Sequence, residues 1–231
     1  MNFKECWNVG RESNGKAQVM STLIPYQKAS NIFLYFFLKL EISATNVSLI
    51  MSLISVVGLL LMLFGTKTSI IWGISCFLLA MVLDHTDGDV ARATGKGSMF
   101  GHFFDNIHHT SEDICIFLGL GIYATVFYNH TLFLILGVGI SFLILLMGRF
   151  KYYMIGNFGI KPRDDLMFRK FPWVLFYGDW FKIWYWVVLF SVIFNFADWV
   201  LFLVILWAVV RIPVILCQYA KACYDYDNGK F

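Results

Sequence analysis

The sequence predicts an all-α integral membrane protein with six transmembrane helices and a short interfacial helix at its N-terminus. Hydrophobic residues make up 59% of the 231 residues and charged residues only 14%, whereas soluble domains have roughly 45–50% and 25%. The apolar residues are concentrated in six blocks of about 20 residues, the length that a helix needs to cross a bilayer. This distribution favours a bundle of membrane-spanning helices over a single water-soluble core.

The six apolar blocks are predicted to cross the membrane in succession. They comprise residues 47–65, 69–91, 103–128, 132–153, 178–197 and 199–219. Because we find neither an internal repeat nor a low-complexity stretch, we interpret residues 1–231 as a single domain. It has a six-helix bundle over residues 43–219 and a cytoplasmic tail over residues 220–231.

Residues 1–42 form a cytoplasmic and interfacial segment in this interpretation. Its apolar run from Ile32 to Leu38 is short and has Lys28 on one side and Lys39 on the other. A short apolar helix bordered by lysines is more typical of the membrane interface than of a span. The alternative is that this run forms a seventh span.

Lysine and arginine are distributed unevenly among the predicted loops. Fifteen of the 18 lie in the N-terminal segment, near residues 92–100, in residues 149–177 or in the C-terminal tail, whereas the opposite loops contain only Lys67. By the positive-inside rule, both termini are predicted to be cytoplasmic.

Carboxylates cluster at the cytoplasmic end of the second predicted span. Asp84 and Asp87 are three residues apart and share one face of a helix, and Ala91 continues that face. The small residues Gly88 and Ala91 allow close approach of a ligand or another backbone. Asp89 lies away from Asp87, and we expect a solvated or structural role for it.

The third predicted span begins with a second polar face. Gly101, Asp105 and His109 recur every four residues, which places them on one side of a helix. Residues 94–98 have the composition of a turn, so the second and third spans are expected to pack antiparallel. The two polar faces then meet across a short hairpin.

Carboxylates that cluster at a membrane boundary repel each other and cost free energy to desolvate, and a bound cation offsets both effects. The oxygen ligands of Asp84, Asp87 and Asp105 suit Mg²⁺, Mn²⁺ or Ca²⁺, and Arg92 adds a permanent charge for a phosphate. One alternative is a solvated helix end. A second is a transporter site, although transporter acids usually lie near the bilayer midplane.

These residues resemble the signature of the CDP-alcohol phosphotransferase family, which reads D-x2-D-G-x2-A-R-x8-G-x3-D-x3-D. Seven of the eight fixed positions match at the family spacing, and the eighth is His109 in place of aspartate. The matching residues are Asp84, Asp87, Gly88, Ala91, Arg92, Gly101 and Asp105. Residues 44–48 also resemble the family's T-P-N-x-[TS] element, and the six-span layout extends the resemblance to most of the chain.

The resemblance implies a membrane transferase of phospholipid or surface-polymer biosynthesis. Such an enzyme moves a phospho-alcohol or phosphatidyl group from a CDP-linked donor to an acceptor hydroxyl and releases CMP. It implies Mg²⁺ or Mn²⁺ held by Asp84, Asp87 and Asp105. The CDP site would comprise Asn46, Gly88, Ala91, Arg92 and Gly101. It also implies a homodimer with its active site open to the cytoplasm, and the short chain favours a bacterial-type plasma-membrane enzyme. No sequence pattern indicates nucleic-acid binding.

The histidine at the last motif position leaves the catalytic base open. We hypothesise that His109 is the base, because its ordinary pKa near neutrality suits proton transfer, with Asp105 beside it. Glu112 or Asp113 is spaced to orient the ring. The alternative is a catalytically weak relative that binds a CDP-linked ligand without turnover. Arg149, at the end of the fourth predicted span, is a weaker candidate for acceptor binding.

Overall fold

The computed structural model describes residues 24–158 and 180–228. Within these ranges every regular element is an α-helix, so the all-α prediction is confirmed for this part of the chain. The helices are α1 (Ile24–Lys39), α2 (Ala44–Leu63), α3 (Lys67–Thr94), α4 (Met99–Tyr128), α5 (Leu132–Phe158), α6 (Trp180–Ile193) and α7 (Ala197–Asp227).

Three of the described helices, α2, α3 and α4, are long and apolar enough to cross a membrane. The other predicted spans correspond to shorter apolar stretches at Leu132–Leu146, Trp184–Ile193 and Ala197–Val210. The membrane character is confirmed, while the number of six spans stays a prediction. Residues 178–179 of the fifth predicted span lie outside the described residues, as do residues 1–23.

Large apolar side chains lie on the outer surface along these helices. Leu53, Trp72 and Ile135, on α2, α3 and α5, have 58%, 62% and 66% of their surface exposed. A water-soluble protein rarely leaves so many large apolar side chains uncovered. The exposed faces therefore fit a lipid environment.

Turn-forming residues determine where the helices begin and end. Ser43 caps α2 by accepting a hydrogen bond from the amide of Asn46, and Gly95 ends α3 with a φ of 66°. Asn195 adopts a φ of 60° between α6 and α7. As a result α6 ends at Ile193, before the predicted boundary at residue 197.

The first compact unit comprises α1, α2, α3 and α4 up to Glu112. Leu34 of α1 is fully buried in one apolar cluster with Ala44 and Val90. The opposite face of α1 exposes Ile32 and Phe36. The N-terminal helix is thus two-sided, as an interfacial helix requires, and its location at the interface stays a prediction.

Helices α2 and α3 approach each other closely at two glycines. A methyl group added to Gly73 would lie 2.9 Å from the carbonyl oxygen of Gly58. Small residues at such crossings allow close backbone contact between membrane helices. This contact holds together α2 and α3, whose far ends carry Ser48 and Asp87.

The second compact unit runs from Asp113 onward, together with residues 65–67. Within it, α5 and α6 pack against α7. A methyl group added to Gly121 of α4 would lie 2.9 Å from the Cα atom of Gly137 on α5, so the two backbones are in contact there. Asn195 accepts a hydrogen bond from the ammonium of Lys67 at 3.0 Å. The two units are consistent with the helical class, and the single-domain organisation stays a prediction.

Candidate active site

The break between α3 and α4 positions the two halves of the motif. Ser98 begins α4: its hydroxyl accepts the amide of Gly101 at 2.9 Å and lies 2.6 Å from the hydroxyl of Thr45 on α2. A methyl group at Gly101 would come within 3.5 Å of the Ser48 hydroxyl. The start of α4 therefore lies against α2 at Gly101.

Asp84, Asp105 and His109 come together in the first unit. One polar atom of each lies within 4.8 Å of the others. His109 Nε2 is 3.4 Å from Asp105 Oδ1 and 3.8 Å from Asp84 Oδ1. The side chains are between 22% and 42% exposed, so a ligand can reach them. The polar faces of α3 and α4 meet as the spacing predicted.

Asp87 is held from a different direction. Its Oδ2 accepts a hydrogen bond of 2.6 Å from the hydroxyl of Ser48 on α2, while the charges of Asp84 and Asp105 act on it from nearby. A hydrogen bond to an ionised carboxylate is among the strong ones in proteins. Ser48 therefore fixes one oxygen of Asp87 and offsets part of the repulsion among the three acids.

His109 is also contacted on its second nitrogen. Glu112 Oε2 lies 3.3 Å from Nδ1 of His109 and 3.8 Å from Nε2 of the neighbouring His108. Of the two candidates for orienting the ring, the structure places Glu112 in contact with it. The side chain of Asp113 is outside the described part of the chain.

Arg92 folds back over Gly88. Its guanidinium would be 3.2 Å from a methyl group at Gly88, and it binds Asp89 at 2.7 Å. Asp89 is 3% exposed and Arg92 is 54% exposed. Asp89 is thus a buried partner that orients Arg92, and the solvated role we allowed for it is wrong.

The remaining predicted binding residues have no contact that defines their role. Asn46 is exposed in the first turn of α2, and Ala91 packs beside the Leu34–Val90 cluster. Arg149 is exposed on α5, in the second unit. Their roles in binding CDP or the acceptor stay predictions.

Three serines of α2 were not predicted as site residues. Ser48 binds Asp87, Ser52 donates to the carbonyl of Phe104, and Ser55 lies 2.7 Å from Nδ1 of His108. All three are buried. Their spacing of four and three residues marks one helix face, which is the signal that could have identified them.

The residues present fit a divalent cation. Oδ1 of Asp105 is buried and has no hydrogen-bond partner among the described residues. It points into a set of two carboxylates and one imidazole, with Asp87 close by. Carboxylate oxygens bind Mg²⁺ and Mn²⁺, and a cation would satisfy the buried oxygen.

Acids and an imidazole that meet between two apolar helices belong to a class of membrane proteins that can hold a divalent cation for phosphoryl chemistry. The profile of the CDP-alcohol phosphatidyltransferase family matches residues 42–214, well over half of the chain. The protein belongs to this family. No curated protein and no solved structure matches it.

The members of this family share a general activity. Members transfer a phosphatidyl-type group from a CDP-linked donor to an alcohol in lipid biosynthesis, and they typically use a divalent metal. The matched region contains the whole carboxylate cluster. The protein is therefore a membrane transferase with a CDP-alcohol donor and an alcohol acceptor.

Proposed function

We propose that the protein transfers a phospho-alcohol or phosphatidyl group from a CDP-linked donor to an acceptor hydroxyl and releases CMP. The reaction serves phospholipid or surface-polymer biosynthesis in a bacterial-type plasma membrane, with the active site and both termini in the cytoplasm and the protein as a homodimer. The cluster of Asp84, Asp105 and His109 within the family-matched region carries this proposal.

Asp84, Asp87 and Asp105 hold the Mg²⁺ or Mn²⁺ ion in this proposal. Such an ion, when bound, neutralises the donor diphosphate and so stabilises the leaving CMP. Arg92 contributes a charge that does not titrate, and its exposed half can contact a phosphate while Asp89 orients it. The remaining CDP contacts are Asn46, Gly88, Ala91 and Gly101, and Arg149 stays the weaker candidate for acceptor binding.

His109 is the base. Its Nδ1 faces Glu112, and its Nε2 faces Asp105 and Asp84. With Asp84 and Asp105 bound to the cation, Nε2 would be free to take the proton from the acceptor hydroxyl. The acceptor oxygen then bonds to the donor phosphorus, and the bond from that phosphorus to the CMP oxygen breaks. Positioning and charge stabilisation supply most of the rate, as in phosphoryl transfer generally.

One observation favours a second candidate function. The family motif ends in aspartate where this chain has His109. A protein that binds the CDP-linked donor without turning it over would retain the three aspartates and lack the base. In that case binding is metal-dependent and CMP is not released.

The test is CMP release by the protein purified in detergent with Mg²⁺ or Mn²⁺. CDP-diacylglycerol and soluble CDP-alcohols are offered with a panel of acceptor alcohols. We expect metal-dependent release that is lost in Asp87→Asn. His109→Ala is expected to lose turnover and His109→Asp to retain part of it. Full turnover in both variants would exclude His109 as the base, and CDP binding without release would favour the second candidate.

A further inference from the structure

An exposed apolar stripe runs along one side of α1. Ile32 and Phe36 of this helix, and Leu40 directly after it, recur every four residues, and 49%, 52% and 66% of their surface is exposed. We propose that the hydrocarbon of the membrane leaflet covers this stripe and that α1, held in this way, keeps the metal-binding turns of α3 in place. The proposal rests on the proposed function and adds a lipid partner that controls the same site.

The start of α2 fixes the level of this stripe in the membrane. Helix α1 ends at Lys39, and α2, which is long and apolar enough to cross a bilayer, begins soon afterwards at Ala44. Ala44 lies in the same buried cluster as Leu34 of α1. Helix α1 is therefore close to the level at which α2 enters the hydrocarbon, where exposed apolar side chains meet the leaflet rather than water.

The charges beside the stripe indicate which part of the lipid it contacts. Among the described side chains next to it, Lys39 and Glu41 are both exposed and opposite in sign. An anionic headgroup would be attracted by the first and repelled by the second. The apolar surface of the stripe is stabilised by hydrocarbon whatever the headgroup is. The partner is therefore the hydrocarbon of the leaflet and not one particular headgroup.

The opposite face of α1 is bound to α3 inside the family motif. The hydroxyl of Ser30 lies 3.1 Å from the hydroxyl of Thr86, and both residues are fully buried. Because Thr86 donates its own proton to the carbonyl of Val82 at 2.8 Å, it accepts the proton of Ser30. One turn further along both helices, Leu34 shares a buried cluster with Val90. Helix α1 thus supports α3 at two successive turns, which are the turns that carry the metal-binding acids.

The contact with α3 is incomplete without the leaflet. Asn31, beside Ser30, is buried, and its Oδ1 has no hydrogen-bond partner among the described residues. A buried acceptor without a partner costs free energy when α1 docks. The exposed parts of Ile32 and Phe36 gain nothing from α3 and are stabilised only where lipid covers them. Loss of the leaflet contact should therefore loosen α1 together with the turn of α3 that contains Thr86.

Photo-crosslinking locates the stripe without measuring activity. Benzoylphenylalanine replaces Phe36 in the intact chain, which is reconstituted in phosphatidylcholine vesicles. We expect crosslinks to lipid from this position and from Leu53, an exposed residue of α2, but not from Lys96, an exposed residue between α3 and α4. Added phosphatidylglycerol should change nothing. Crosslinks from position 36 to the protein alone, or to lipid only when phosphatidylglycerol is present, would overturn the proposal.

Mn²⁺ titration and CMP release in the same vesicles measure the effect on the site. Ile32→Asn combined with Phe36→Asn should lower Mn²⁺ affinity and kcat/KM at least about fivefold, the lower end of the coupling between linked sites. Ile32→Val combined with Phe36→Leu keeps the stripe apolar and should retain wild-type values. Phe194→Asn, at an exposed position of the second unit, is the matched control. Ser30→Ala should lower Mn²⁺ affinity roughly 2- to 10-fold, the equivalent of one net hydrogen bond, while position 36 still crosslinks to lipid.

The regulation by lipid and the proposed function fail in different ways. Wild-type Mn²⁺ affinity and kcat/KM in the double asparagine variant would overturn the regulation, even where position 36 crosslinks to lipid. Wild-type protein that binds Mn²⁺ but releases no CMP from any donor would refute the transferase alone, because crosslinking and Mn²⁺ affinity still decide the role of α1. Wild-type protein that neither binds Mn²⁺ nor releases CMP would refute both.

Discussion

Removing the Ser48 hydroxyl tests how far the metal-binding residues depend on α2. Ser48→Ala deletes the 2.6 Å hydrogen bond to Oδ2 of Asp87 and leaves a buried methyl group in its place. The hydroxyl is buried and bonds to a charged acceptor, so its loss costs about 1.5–3 kcal/mol. Because 1.4 kcal/mol corresponds to a factor of ten, this energy is roughly 10- to 150-fold in an equilibrium constant.

The effect should appear first in metal binding. The charges of Asp84 and Asp105 act on Asp87, and without the hydroxyl nothing offsets that repulsion from the side of α2. Loss of a residue that orients a metal ligand typically costs 10–100-fold in affinity. We therefore expect Mn²⁺ affinity to fall by roughly 10- to 100-fold in Ser48→Ala, with kcat/KM following.

The assay is Mn²⁺ titration followed by electron paramagnetic resonance, with CMP release measured in parallel. Ser48→Thr retains the hydroxyl and should remain within about threefold of the wild type, well inside the range of a lost hydrogen bond. Ser75→Ala is the control, because the Ser75 hydroxyl, among the described residues, donates only to the carbonyl of Ile71 in its own helix. Ser48→Ala with wild-type Mn²⁺ affinity would refute the reasoning and remove Asp87 from the set of ligands.

Three further predictions concern packing, a turn and the arginine of the motif. Gly121→Ala should lower the melting temperature in detergent, because its methyl would lie 2.7 Å from a backbone carbonyl and overpacking costs roughly 1–3 kcal/mol. Gly139→Ala should not, because no described residue lies within 4 Å of a methyl group there. Asn195→Ala should be less stable than Asn195→Gly by about 1 kcal/mol, because both lose the side-chain hydrogen bonds and only alanine is strained at a φ of 60°; equal melting temperatures would contradict this. Asp89→Asn should raise the donor KM about 5- to 10-fold by weakening the bond that orients Arg92, and an unchanged KM would mean that Arg92 does not contact the donor.

The helical class and the central cluster follow from the sequence, for separable reasons. The apolar blocks predict α2, α3 and α4 because length and composition alone determine which helices can span. The meeting of Asp84 with Asp105 and His109 follows from helical spacing and a short turn at Gly95. Local patterns of this kind need no knowledge of distant packing.

The contacts between helices are what the sequence did not reveal. A serine in an apolar helix usually bonds to the carbonyl four residues earlier, and Ser48, Ser52 and Ser55 each have such a contact as well. Their second partners depend on which face of α2 meets the other helices. The pairing of Asp89 with Arg92 is local, because the two residues lie three apart on one helix.

The three serines of α2 have a consequence for how the site tolerates movement. Each hydroxyl contacts a different part of the site: a carboxylate, a backbone carbonyl and a buried imidazole. A helix rises 1.5 Å per residue, so sliding α2 by a single residue along its axis would displace all three hydroxyls from their partners by the same amount. The register of one helix thus sets the surroundings of Asp87, Phe104 and His108 together, and a bilayer that shifts α2 would change all three contacts at once.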